Sequence, residues 1–245
     1  MFNGFTGVLY RELHVFSKKA KKQIIASSLS PLLFLIAFGW GFGKEVTVDG
    51  LPYISFLIPG LITMSTLNQS YGIALELNIS RFYFHIFDEF LIAPVRQVEI
   101  VLGEACYGIF RAMISASLIF VYAILFGVEL IISPIFFLAF FLHTFLFATL
   151  GVTMAMIVKD HSSQAAVNTF VITPMIFLCG TFFPVDKLPA FFKGIVHILP
   201  LTYSTKVIRS SLTGGHINIT YLGLMAAFAI LFFGTALWAV KRVEA

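Results

Sequence analysis

Nothing in this chain can cradle a nucleotide phosphate, and little in it is charged. The nearest approach to a phosphate-binding loop is Gly43-Lys44, but Glu45 follows where Ser or Thr is required, and Phe38 stands where the first glycine belongs. Charged residues make up 11% of the chain, against about a quarter in soluble domains. There are two cysteines, Cys106 and Cys179, and both fall inside apolar runs, so they are expected as small buried hydrophobes rather than a disulfide framework. His14, His85, His143, His161, His197 and His216 are scattered, without a His-Glu-x-x-His pair or a carboxylate cluster to hold a metal, and His143 is expected as a bonded interior histidine. A Gly-x-Ser-x-Gly elbow and a paired-aspartate signal are missing too. These absences argue against an enzyme and against any cofactor bound by this chain. No fixed-period repeat or low-complexity linker points to a solenoid or an appended domain.

What is abundant is apolar: 59% of the residues, including 29 Phe. Six runs stand out, at 24–42, 54–75, 102–126, 134–158, 164–183 and 219–240. Each approaches the roughly 20 residues that an α-helix needs to cross hydrocarbon. Unpaired backbone groups are too costly in lipid, and runs this long lack the alternation of barrel strands. The fold class is therefore all-α, a polytopic membrane protein with six transmembrane helices. The basic stretch before the first run imitates a signal peptide, but no small-x-small pattern closes that run, so it is expected to stay as a span.

Orientation follows from Lys and Arg. One side receives Arg11, Lys18, Lys19, Lys21, Lys22, Arg81, Arg96, Lys159, Lys241 and Arg242; the other receives Lys44, Lys187, Lys193, Lys206 and Arg209. The positive-inside rule puts both termini in the cytoplasm. The net charge of +4 is thereby spent near segment ends, where membrane orientation needs it, and nucleic acid is not an expected partner.

Before the first run, Phe5, Leu9, Leu13, Phe16 and Ala20 share one helical face, opposite Arg11, His14, Lys18, Lys21 and Lys22. Such a helix is expected to lie in the interface plane, as a membrane anchor or a contact for a cytoplasmic partner. Between the second and third runs, Arg81, His85, Asp88 and Glu89 fall within a strip about 100° wide if the segment is helical, with Phe82, Phe84, Phe87, Phe90 and Leu91 around the rest. Pro94 disfavours helix at Ala93, so the element should stop there and another begin near Val95. This is either an ordinary interfacial hairpin loop or a coupling element that docks on a soluble motor subunit.

The third run holds Glu104 and Arg111, seven residues apart and so about 10 Å apart along a helix, too far to pair simply with each other. Glu104 lies close enough to the cytoplasmic edge to reach water. Arg111 is deeper and needs a partner, either carbonyls or an acidic neighbour, unless it contacts substrate or transmits coupling. The second run carries Thr63, Ser65, Thr66, Asn68, Gln69 and Ser70, which are expected to bond other helices or to line a pathway; Gln164 and Asn168 could complete that seam. Pro59-Gly60 is expected to bend this run. After Gly180 the fifth run should break, and Pro184, Pro189 and Pro200 bound a short amphipathic piece, 188–199, too short to span.

The run Phe56-Leu-Ile-Pro59-Gly60-Leu, then Phe87-Asp88 to Leu91-Ile-Ala93-Pro94, then Glu99 to Gly103, resembles the membrane subunits of ABC type 2 exporters. So does Phe177-Leu-Cys-Gly180-Thr-Phe-Phe-Pro184 with Leu188-Pro189 and Leu199-Pro200-Leu201-Thr202-Tyr203 to Arg209. The resemblance covers about residues 50–210 in order and is nearest to the drug and nodulation-factor exporter branch, from which the more aromatic stretch 82–85 departs. It implies a homodimeric permease in a bacterial cytoplasmic (inner) membrane, bound to two copies of a separate ABC ATPase that would use ATP and Mg. In this reading residues 1–23 form an interfacial elbow helix, 24–240 the six-span domain and 241–245 a cytoplasmic tail. Within the domain, 76–101 is the coupling segment, with Arg81, His85, Asp88, Glu89, Pro94 and Glu99 facing the ATPase. Thr66, Asn68, Gln69, Glu104, Arg111 and Asn168 would be the intramembrane polar or pathway residues. Residues 184–201 would form a re-entrant outer segment, rather than a capped loop helix, with Gly180, Phe183, Pro184, Pro189 and Pro200 at the outer gate. The cargo would be amphipathic, drug-like or lipid-linked, with a lipid-linked polysaccharide as the nearest variant. A different class, an ion-gradient carrier without an ATPase, predicts internal symmetry and central ionisable residues, and a membrane enzyme predicts a catalytic cluster at one interface.

Overall fold

The computed structural model of the protein describes residues 3–41, 46–48, 50–84 and 93–244. His85, Asp88 and Glu89, expected at the coupling face, lie outside the described residues. Helix α1, Asn3–Phe34, runs into a π-helical stretch, Leu35–Trp40. Pro31 sits inside α1, and its missing N–H loosens the ladder just before that widened stretch. A two-residue antiparallel pair, β1 Thr47–Val48 and β2 Leu51–Pro52, turns the chain into α2, Tyr53–Tyr71. Then follow α3 Ile73–Phe82, α4 Gln97–Leu125, α5 Pro134–Ile157, α6 His161–Val167, α7 Thr173–Leu178, α8 Ala190–Val196, α9 Pro200–Thr213 and α10 Ile219–Glu244.

Four helical stretches among the described residues are long and apolar enough to cross a membrane: Gly4–Gly39, Gln97–Leu125, Pro134–Ile157 and Ile219–Val243. The second and fifth apolar runs of the sequence take other forms. The second becomes α2, in which 14 of 19 residues are buried, so it is the central helix of the protein and tolerates hydroxyls and amides that a lipid-facing helix would not. It ends before Gly72, and α3 continues from there. The fifth run is divided into α6, a π-helical stretch Asn168–Ile172, and α7, each too short to span alone.

The N-terminal segment also differs from expectation. Residues 1–23 and the first run are not separate elements, because α1 continues unbroken through their junction. No proline or glycine falls between Gly7 and Pro31 to stop it. The first half of α1 lays its apolar side on α4. Val8 fills the space left by Gly103, where an added Cβ would come within 2.8 Å of the Val8 side chain, and Phe16 meets Tyr107 and Phe110 edge to face. That face is therefore covered by protein, and Lys18, Lys19, Lys21 and Lys22 lie exposed on the opposite side.

Short polar bonds fasten α2 to the helices around it. Ser65 meets Ser115 of α4, Thr66 lies 3.1 Å from Nε2 of His143 on α5, and Thr205 of α9 donates to Thr63 at 3.4 Å. Helix α10 packs along α5, where Thr153 and Thr235 are 3.2 Å apart. The loop before α5 is fixed to the end of α9 by Ile131 N–H to the Leu212 carbonyl and Ser133 N–H to the Ser211 carbonyl. Helix α6 is capped by Asp160, which accepts hydrogen bonds from the Ser162 and Ser163 hydroxyls and the Ser163 amide; these bonds pull its carboxyl down to about 2.

Candidate functional site

Three groups of polar or aromatic side chains stand out, around the end of α3, around Arg111 and around Gly180. Helix α3 terminates at Phe82, so Arg81 belongs to its last turn instead of opening a new helix. Its guanidinium donates to the Met156 carbonyl at 2.6 Å and the Ala155 carbonyl at 3.4 Å, and lies 4.7 Å from the centre of the Phe82 ring. Asn78 reaches the Val158 carbonyl at 3.3 Å. Helix α3 thus caps the negative C-terminal end of α5. Ala93 and Pro94 form a turn, and α4 then begins at Gln97 instead of near Val95. Glu99 accepts from the Arg96 backbone N–H at 3.0 Å, so its carboxylate closes the first turn of α4. Arg81→Ala is expected to uncap α5 and lower stability by about 1–2 kcal/mol, with Lys in its place recovering part of the loss. Thermal unfolding of the three proteins in one detergent checks this.

In the interior, Arg111 on α4 finds the acidic neighbour its depth demands. It donates from Nη1 to Glu76 at 2.8 Å, and from Nε and Nη2 to the Gln69 side-chain oxygen at 3.3 and 3.0 Å. Glu76 also accepts from the Tyr107 hydroxyl at 3.2 Å and the Gln23 amide at 3.0 Å. The network ties α1, α2, α3 and α4 together. Glu76 was legible as a carboxylate but not as this partner; the sequence shows it heading a loop segment, and only the helical α2–α3 passage brings it level with Arg111. Glu104 departs from its expected access to water. It is 1% exposed, because α1 covers this part of α4, and Oε1 has no hydrogen-bond partner among the described residues.

The other expected pathway residues are not brought into one seam. Thr66 bonds its own helix and His143. Asn68 is exposed, and Gln69 belongs to the Arg111 network. Gln164 on α6 donates to the Tyr71 hydroxyl at 3.0 Å and to the Asn168 side chain at 3.4 Å, forming a third, separate group.

Gly180 takes φ +86°, a left-handed conformation that turns the chain after α7. The following peptide presses on α2 at Gly60, where an added Cβ would lie 2.1 Å from the Thr181 carbonyl oxygen. Pro59-Gly60 therefore marks a close crossing of backbones. Arg209 of α9 closes it, donating to the carbonyls of Phe56 at 3.2 Å, Gly180 at 2.7 Å and Thr181 at 3.3 Å, with its guanidinium 3.7 Å from the centre of the Phe56 ring. Pro184 is buried beside this clamp; Pro189 precedes α8 and Pro200 opens α9. Phe183 lines a hollow of about 450 Å³ with Phe34, Phe38, Tyr53, Phe177 and Phe182.

A model of the family described as ABC-2 type transporter matches residues 4–213. Nodulation protein J of Rhizobium meliloti (strain 1021) is 31% identical over 93% of this chain and 89% of its own length. The inner membrane transport permease YadH of Escherichia coli (strain K12) is 28% identical over 91% of this chain and 89% of its own. Nodulation protein J of Sinorhizobium fredii (strain NBRC 101917 / NGR234) is 26% identical over 95% and 90%.

Proposed function

The chain belongs to the ABC-2 type transporter family, a family of membrane transport permeases, and from that premise we propose that it is the permease half of an inner-membrane exporter powered by a separate ATPase. The observation that carries the reading is the Glu76–Arg111 pair. It joins α3 and α4, the two helices connected by the segment 83–96, with Arg111 buried and Glu76 partly exposed. A partner that pushes on that segment would move both helices together, and through Gln69 it would move α2. The sequence has no phosphate-binding loop of its own, so ATP and Mg fall to the partner.

The finer features follow from the same reading. The chain makes six passes with both termini in the cytoplasm, α2–α3 and the divided α6–α7 stretch supplying two passes besides the four long apolar helices. Residues 184–201 form the re-entrant outer segment. Two copies assemble, and exposed apolar side chains such as Phe170 and Phe177 suit either lipid or that second copy. The cargo is amphipathic, and the aromatic hollow at the outer end is suited to its apolar part.

The docking assignment is tested by reversing charge at Asp88 and Glu89 together. The double Lys variant is expected to remain in the membrane at normal abundance while losing most partner binding and export. Undiminished export would remove the segment from the coupling role.

A further inference from the structure

Helices α1, α3 and α4 enclose a half-open cavity of about 270 Å³ near the cytoplasmic ends of α3 and α4. Two buried acceptor atoms on residues that line it, Glu104 Oε1 and Gln23 Oε1, have no donor among the described residues. Buried acceptors of this kind are normally satisfied, so the cavity asks for a ligand that brings several donors, and one that also brings a positive charge would hold Glu104 as its carboxylate.

The other charges around it are paired. Glu12 forms an ion pair with Arg11, which also donates to Ser80 at 3.0 Å, and Glu76 is held by Arg111. Glu104 is left as a single carboxylate inside, while Lys19 lines the cavity from an exposed position at its rim. A hard divalent cation would need six or more oxygens, and no group of three His, Cys, Asp or Glu among the described residues is placed to hold a metal. A primary ammonium brings three donors and a charge in one small group. The cavity lies below the roughly 300–1,000 Å³ typical of drug-sized ligands, and matches a headgroup better than a whole amphiphile. Beyond Lys22 the same helix continues as an exposed apolar ridge of Ile25, Leu29, Leu33 and Ile36, suited to acyl chains.

We propose that this cavity binds the headgroup of an aminophospholipid, with Glu104 and Gln23 receiving the ammonium and Lys19 the phosphate at the rim. The site does not depend on the transport reading, because binding is measured without ATP or a partner. Delipidated protein in detergent is titrated with phosphatidylethanolamine, phosphatidylcholine and phosphatidylglycerol of matched chains, and with soluble phosphoethanolamine, following thermal stabilisation. Phosphatidylethanolamine is expected to bind about tenfold tighter than the other two lipids, and phosphoethanolamine more weakly than the lipid. Glu104→Gln, a neutral isostere, is expected to abolish the amine preference. Lys19→Gln, at an exposed position that leaves folding intact, is expected to weaken phosphatidylethanolamine severalfold. Equal binding of the three lipids, a preference unchanged in either variant, or phosphoethanolamine binding as tightly as the lipid would each overturn the proposal.

Discussion

Replacing Arg111 with Met is expected to lower stability by about 3 kcal/mol, a fall of roughly 6–12 °C in the melting temperature for a chain of this size. The Arg111 side chain is 9% exposed, and its removal strands the Glu76 carboxylate and the Gln69 oxygen. Breaking a buried pair by deleting one member typically costs about 3–5 kcal/mol; the lower end applies because the Glu76 side chain is 37% exposed and water can reach it. Adding Glu76→Gln to the Met variant removes the stranded charge and is expected to return more than half of the loss. A double-mutant cycle reads the coupling directly. If the Met variant melts like the wild type, the network is not holding α3 to α4, and the proposed link from the segment 83–96 to α2 has no basis.

Gly60→Ala tests the crossing of α2 by the peptide at Thr181, with opposite expectations from two effects. Alanine inside a helix is favoured over glycine by about 1 kcal/mol, so propensity alone predicts stabilisation. The added methyl would sit 2.1 Å from the Thr181 carbonyl oxygen, which is backbone and is itself held by Arg209. Overpacking of this kind costs about 1–3 kcal/mol or more, and the clash is expected to win, with a net loss of about 2 kcal/mol and an opened outer loop. Gly234→Ala on α10, where nothing lies within 4 Å of the added atom, is the control and should be neutral or slightly stabilising. Arg209→Lys should reproduce part of the Gly60 defect, since an ammonium cannot hold three carbonyls and stack on Phe56 in the same manner. Stabilisation by Gly60→Ala would show that the loop does not rest on α2.

Long uniform apolar runs were the most legible part of the fold. The runs 102–126, 134–158 and 219–240 correspond to Gln97–Leu125, Pro134–Ile157 and Ile219–Glu244, and the prolines around 188–199 bracket Ala190–Val196. Interruptions inside runs were harder to read. The fifth widens to π-helix at Asn168–Ile172, a change of backbone geometry that no single residue announces, and α9 is too polar to stand out as an apolar run. The join of the N-terminal helix to the first span was missed because amphipathicity changes along α1 while the helix itself does not stop.

For the candidate sites, the depth of Arg111 argues for a partner, either carbonyls or an acidic neighbour, unless it contacts substrate or transmits coupling. The identity of that partner could not be read from the sequence, because Glu76 is 35 residues away and is brought level with Arg111 only by the fold, in which α3 follows α2 and packs on α5. The burial of Glu104 is hidden from the sequence for a related reason: its distance from the helix end suggests access to water, and the covering residues come from α1. Arg81 and Glu99 have local roles, capping α5 and opening α4, beside whatever surface they offer a partner.

Tagged protein extracted from native membranes in mild detergent, with any soluble companion and its stoichiometry identified by mass spectrometry, tests the permease assignment first. The expected result is a companion of equal copy number carrying a nucleotide-binding loop, lost in the Asp88, Glu89 double Lys variant. Recovery of the chain alone across several mild detergents, with ATP present, would contradict it and favour a carrier driven by an ion gradient.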